Sequence, residues 1–207
     1  RKWGDDKANR SERYLACVAC LDGVHPSLVM CRGYYTNAYL AAYDFDGTQL
    51  KLRWFHRSER KGKGLYGEGA HSLSVADVDG DGRDEIIYGA AVLDHDGTVL
   101  HRTGLEHGDA LHVSDLMPDR PGLEIFMIHE EAGGADVRDA RTGEILFRED
   151  DDKDTGRGVA ADIDPRYRGF EFRSLASSNI YSTDGFKVIA RGRIPVNFRI
   201  YWDGDLC

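Results

Sequence analysis

Short apolar runs, each about four to eight residues long and bounded by Gly, Asp or Asn, recur along the whole chain and predict β-strands. Leu40–Tyr43, Leu50–Phe55, Ser72–Ala76, Glu85–Tyr88, Val99–Arg102, Glu124–His129 and Ile145–Arg148 are such runs. Between them the chain turns through Tyr43-Asp-Phe-Asp-Gly47, Leu93-Asp-His-Asp-Gly97, Arg138-Asp-Ala-Arg-Thr-Gly143 and Ser182-Thr-Asp-Gly185. These read as hairpin turns in which glycine supplies a positive φ that other residues avoid.

The strands come in repeats. Ser74-Val-Ala-Asp77, His112-Val-Ser-Asp115 and Ala160-Ala-Asp162 align with spacings of 38 and 47 residues. Each is followed by an acid and an apolar run: Glu85-Ile-Ile, Glu124-Ile-Phe and Glu171-Phe. One such unit plus one outer hairpin makes four strands in about 40 to 50 residues, the period of a β-propeller blade. The expectation is an all-β partial propeller with blades over 14–60, 68–105, 107–150 and 156–192, and the start of another over 195–207. Four blades with two loose edges suit an excised part of a larger ring, whose remaining blades would be the natural partner of these edges.

The most specific chemistry is Asp77-Val-Asp79-Gly-Asp81-Gly-Arg83-Asp-Glu85. Ca2+ takes roughly six to eight oxygens, and short carboxylates at alternate positions on a curled loop can converge on it. Asp77, Asp79, Asp81, the Arg83 carbonyl and Glu85 are the expected ligands, with Gly80 and Gly82 allowing the curl. An EF-hand is excluded, because its closing Glu stands at the twelfth position between helices, whereas here strands flank the loop. Asp115, Asp119 and Glu124, and then Asp162, Asp164 and Glu171, form weaker copies that are one residue longer before the acid. The plainer alternative for all three is a solvated acidic turn.

Six residues before the first loop aspartate stand His71, Asp109 and Gly156, at the start of the strand that would line the channel of a propeller. His107 shares a strand face with Asp109 by the period of two, and Glu130 ends the next strand. His71, His107, Asp109 and Glu130 are therefore candidates for a second cation site, and two imidazoles would suit a transition metal better than calcium. The alternative is histidines satisfied by nearby carbonyls. Arg157 and Lys153 are placed to meet an anionic substrate, although Lys153 sits in a solvated acidic run, Glu149 to Asp154.

Composition narrows the classes. With 207 residues, 30% charged residues and a formal net charge of −9, the chain is globular and repels phosphate backbones, so a nucleic-acid partner is not expected. No run reaches the ~18 apolar residues of a membrane span. It begins at Arg1 with no signal-like leader, as a mature chain or a cut piece would. Of the four cysteines, Cys17, Cys20, Cys31 and Cys207, the first two look like half a zinc site, but no second C-x-x-C or H-x-H partner follows them, and small buried apolar roles are expected, with Cys207 simply terminal.

The runs Trp3-Gly-Asp, Cys20 to Tyr35, Ser74 to Ile87, His107-Gly-Asp-Ala-Leu-His-Val113, Asp139-Ala-Arg-Thr-Gly143, Ala161 to Tyr167 and Asn197 to Leu206 resemble the rhamnogalacturonan lyases of polysaccharide lyase family 11. The resemblance implies an eight-bladed, secreted bacterial propeller, of which this chain is about half. It implies calcium-dependent β-elimination at galacturonate in rhamnogalacturonan I, the anionic pectin backbone of plant cell walls. It further implies that His71, His107, Asp109 and Glu130 hold a calcium at the cleft. The rival class is a non-enzymatic calcium-stabilised propeller of the integrin type, binding carbohydrate or protein, in which no such convergence is needed. No residue identifies the catalytic base.

Overall fold

A computed structural model describes Arg10 and residues 12–200. The named elements among them are sixteen β-strands in four separate four-stranded antiparallel sheets, each formed by strands consecutive in sequence. The chain divides into two compact units, residues 1–108 with 141–143, and residues 109–140 with 144–207. Among the described residues no helix is long and apolar enough to cross a membrane.

The first unit holds two sheets. The first consists of β1 (Tyr14–Ala19), β2 (Ser27–Arg32), β3 (Ala38–Phe45) and β4 (Leu50–Ser58). The second consists of β5 (Gly69–Ala76), β6 (Glu85–Gly89), β7 (Ala91–Leu93) and β8 (Val99–Arg102). Alternation along β1 and β2 sends Ala19, Val29 and Cys31 inward while Tyr14, Val18 and Met30 stay exposed. The inward set packs with Leu40, Ala42, Ile86, Tyr88 and Leu93 in one core. Trp54 seals its edge, donating its indole N–H to the His95 carbonyl at 2.9 Å.

The second unit holds the third and fourth sheets. They are β9 (Leu111–Ser114), β10 (Glu124–Ile128), β11 (Ala135–Asp139) and β12 (Ile145–Glu149), then β13 (Gly158–Ala161), β14 (Glu171–Ser174), β15 (Asn179–Ser182) and β16 (Val188–Arg191). Phe126, Phe147, Phe172, Tyr181 and Phe186 cluster in its core with neighbouring centroids near 5 Å, such as 5.4 Å for Phe126 and Phe172.

The strands expected from the apolar runs are present, Val99–Arg102 with the expected bounds. Gly47, Gly97, Gly143 and Gly185 in the hairpin turns all have positive φ, between 67° and 94°. Over 195–207, where the start of a further blade was expected, residues 195–200 carry no strand and residues 201–207 lie outside the described residues. Cys17 and Cys20 are half-buried and Cys31 buried, all three as free thiols, while Cys207 lies outside the described residues. Burial pushes the Cys17 thiol up to about 11, so it remains an inert thiol at neutral pH.

Candidate functional site

Two sets of polar groups are built by the first unit. One is the loop between β5 and β6. Gly80 and Gly82 both have positive φ, 79° and 86°, and curl the chain around the Asp77 carboxylate. Asp77 Oδ1 accepts from the Gly80 and Asp81 amides at 2.7 and 3.1 Å, and its Oδ2 from Gly82 at 2.9 Å. Asp79 and Asp81 accept amides two residues on, at 3.1 and 2.8 Å. Asp77, Asp79 and Glu85 each present an oxygen within 4.8 Å of the others.

Glu85 is the decisive member. It is fully buried, and its Oε2 accepts the Val78 amide at 2.8 Å while Oε1 has no hydrogen-bond partner. Burial, with Asp79, Asp94 and Asp81 adding negative charge, pushes its carboxyl up to about 7. An acid so placed accepts a proton or a cation, and the oxygen-only donor set fits a hard cation such as calcium.

A residue not singled out from the sequence, His95 in the β7–β8 turn, approaches the same loop. Its Nδ1 is 3.6 Å from Asp81 and 2.6 Å from Asp94, and His95, Asp81 and Glu85 form a second compact donor set. Arg83 Nη1 lies 2.7 Å from His95 Nε2, and a guanidinium only donates, so the proton of neutral His95 sits on Nδ1.

The loop copies in the second unit share the buried acid and differ around it. Glu124 and Glu171 are buried with Oε2 on two backbone amides each and Oε1 without a hydrogen bond. Glu124 is likewise pushed up to about 7, by burial first. Positive charge here comes from within the chain. Arg120 stands 3.6 Å from Glu124 Oε1 and 2.5 Å from Asp139. Asp119 is exposed and paired with Arg168 at 2.9 Å. Arg166, at the position of Asp81 in the first loop, grips Asp164 through Nη2 at 2.5 Å and Nε at 2.8 Å. Of the three repeated loops, only the first brings three such donors together among the described residues.

The second set surrounds His71 and His107. Strand β5 departs from β6 between Gly69, opposite Gly89, and Ser74, opposite Ile87. His71 falls within this irregularity, where Ala70 instead bridges Gly108 and the His71 amide donates to the Gly108 carbonyl at 3.3 Å. Such departures re-aim side chains out of the sheet pattern. The two imidazoles lie with ring centroids 5.0 Å apart. His107 is fully buried and stacks on Tyr34, with centroids 5.2 Å apart and planes at 2°. Its Nδ1 donates to the Gly69 carbonyl at 2.5 Å, which fixes the tautomer and makes Nε2 the ring's lone-pair nitrogen. Tyr35 lies 4.0 Å from His107 by centroid, and its hydroxyl is 3.0 Å from His71 Nε2. Arg10 covers the Tyr35 ring at 4.6 Å. Tyr34 and Tyr35 carried no expected role in the sequence; their only signal was adjacency after a glycine between two strands.

The other two expected members belong to the second unit. Asp109 directly follows Gly108 in the chain, and its Oδ2 accepts from Arg157 Nη1 at 2.6 Å. Arg157, expected to meet substrate, is thus half-exposed and ion-paired to a candidate ligand. Glu130 lies in the turn after β10, and Lys153 in the exposed run after β12.

Repeated four-stranded antiparallel sheets, each of strands consecutive in sequence, define a repeat-built all-β protein. The chain belongs to rhamnogalacturonan lyase family 11: the family's C-terminal domain matches residues 1–207. It is 52% identical to the rhamnogalacturonan exolyase YesX of Bacillus subtilis (strain 168) over 99% of this chain and 35% of the relative. It is 50% identical to the rhamnogalacturonan endolyase YesW of the same organism, over 99% of this chain and 33% of that one. The solved Bacillus licheniformis rhamnogalacturonan lyase PL11 superposes with a TM-score of 0.90 at 51% identity, covering 99% of this chain and 35% of that structure. The chain thus spans about a third of the length of the curated relatives it matches.

Proposed function

We propose that this chain supplies part of the active centre of a calcium-dependent lyase that cleaves rhamnogalacturonan I by β-elimination at galacturonate. The observation that carries it is the His71 and His107 pair, two imidazoles held 5.0 Å apart by Tyr34, Tyr35 and the Gly69 carbonyl, in a member of this family. His71, His107, Asp109 and Glu130 would hold the cleft cation. When bound, calcium would stabilise the negative charge that builds on the uronate carboxylate as the neighbouring proton is removed.

The chain's own residues divide the remaining work. Tyr34 and Tyr35 lock the imidazole planes, and the Gly69 carbonyl sets the tautomer. Asp77, Asp79, Asp81, the Arg83 carbonyl and Glu85 hold a separate, structural calcium. Asp115, Asp119, Glu124, Asp162, Asp164 and Glu171 hold calcium more weakly, since Arg120, Arg166 and Arg168 already supply positive charge there. The four sheets would be consecutive blades of a propeller completed by the rest of an extracellular parent protein. The exolyase and the endolyase match this segment about equally, at 52% and 50%, so the choice between cleavage within the chain and from its end is assigned to other segments.

The test is His71→Ala in the full-length protein. His71 is exposed, so folding should be little changed, whereas His107 is buried and its loss would also remove packing. The expected outcome is a loss of cleavage of roughly 100-fold or more, read as absorbance of unsaturated uronate with calcium present. Undiminished cleavage would reject the assignment. Binding of the polysaccharide with no cleavage by the unmodified protein would favour a binding module of the integrin type.

A further inference from the structure

We infer that the end of the first sheet carries a second recognition site, a basic depression of about 380 Å³ that takes uronate carboxylates of an anionic polysaccharide. The site rests on the proposed function for its ligand class but not for its construction. It is lined by Arg57, Glu59, Arg60 and Lys63, with His56 and Ser58 at its base. Glu59 is already engaged, accepting from the Tyr39 hydroxyl and pairing with Arg57 at 2.7 Å. Arg60 and Lys63 are exposed and have no side-chain partner among the described residues. A local excess of cations in a protein of net charge −9 is not explained by the general composition, and it concentrates anions where the surface is concave.

The base is preformed. His56 Nδ1 donates to the Gly97 carbonyl at 2.9 Å, so Nε2 accepts from the Ser58 hydroxyl at 2.8 Å, and Ser58 Oγ accepts the Leu65 amide at 2.9 Å. Leu65 is fully buried in the core and anchors the connection between β4 and β5. The turn bearing Lys63 is set by Gly64, whose φ is +56° and where a Cβ would lie 2.2 Å from Ser58 Oγ. Rigid placement of cations lowers the ordering cost of binding.

The same connection leads to the imidazole pair. Gly67 donates to the Thr36 carbonyl at 2.9 Å and Gly69 to the Tyr34 carbonyl at 3.3 Å. Ser58 pairs with Ala38 at the start of β3. Residues 59–68 and the Tyr34–Tyr35 turn therefore share one end of the first sheet. The depression lies at the β4 edge, one to two strand spacings of ~4.8 Å from the β2–β3 turn that carries Tyr34 and Tyr35. A polyuronide lying across this end would meet Arg60 and Lys63 with one carboxylate and His71 with another. Binding energy gathered at such a distance helps to hold the reacting unit in place.

The experiment uses the full-length protein and its Arg60→Glu/Lys63→Glu variant. Isothermal titration with rhamnogalacturonan I oligosaccharides is run in chelator, which removes any cation-mediated contact, at low and high salt. The wild type is expected to bind at low salt roughly tenfold more tightly than the variant, and to lose that advantage at high salt. It should bind carboxyl-reduced oligosaccharide no better than the variant does. An Arg60→Gln/Lys63→Gln protein should be intermediate, which separates lost charge from misfolding. Equal binding by wild type and charge-reversed variant, or none by either, overturns the site. Absence of lyase activity with the binding difference intact would overturn only the proposed reaction.

Discussion

Glu85 shows at the scale of one residue why the first loop is suited to a cation. Its carboxyl, pushed up to about 7 from 4.5, favours the protonated state in the fold, mainly through burial. The sign follows: this contribution to stability is complete below about pH 4.5 and is lost as pH rises through about 7. Glu85→Gln keeps the shape without the charge. In chelator at pH 8 the variant should be more stable than the wild type, on the order of 1–2 kcal/mol once screening by water in the loop is allowed for. In calcium the order should reverse, because a neutral amide is the poorer ligand. Urea midpoints at pH 5 and pH 8, with and without calcium, check both halves, and an unchanged order on adding calcium would exclude a metal at Glu85. The acid and its spacing were legible in the sequence. Arg120 and Arg166 as built-in cations of the other loops were not, since only the fold shows where a guanidinium reaches.

Strands were the most legible elements, because alternation with glycine-marked turns has one ready interpretation. What alternation concealed is the break in β5. Period two carries a smooth strand through Ser72–Ala76, yet residues 70–73 leave the β6 ladder and His71 turns out with them. Tight packing behind the break holds it. A Cβ on Gly69 would stand 2.2 Å from Tyr34 Cβ and 2.8 Å from Tyr88 Cε1. Gly69→Ala should therefore cost about 1–3 kcal/mol by overpacking and displace the carbonyl that orients His107. Thermal unfolding checks the first effect. The second should appear as a larger loss of cleavage than the stability change explains, and a fully active, equally stable variant would count against the packing account.

At the scale of the molecule, the two units should answer calcium differently. The first unit contains the loop with three convergent donors, and the second contains loops with arginines beside the acids. At about 100 times its dissociation constant, calcium should add about 2.7 kcal/mol to whatever unfolds with its site. Trp54, tied to the His95 carbonyl in the first unit, should report that shift by fluorescence. Hydrogen exchange in β10 and β14 should move less, and an equal shift in both units would show that the arginines do not replace metal. Taken alone, the sequence determined the all-β class, the four-strand period and the carboxylate spacing of the first loop. These are local properties: alternation, turn glycines and the spacing of carboxylates act within a few residues of chain. Only the tertiary structure decided that Tyr34 and Tyr35 cage the imidazoles, that Arg157 holds Asp109, and that Arg60 and Lys63 share a depression with a preformed base. Those arrangements depend on segments distant in sequence meeting through packing, for which residue spacing carries no signal.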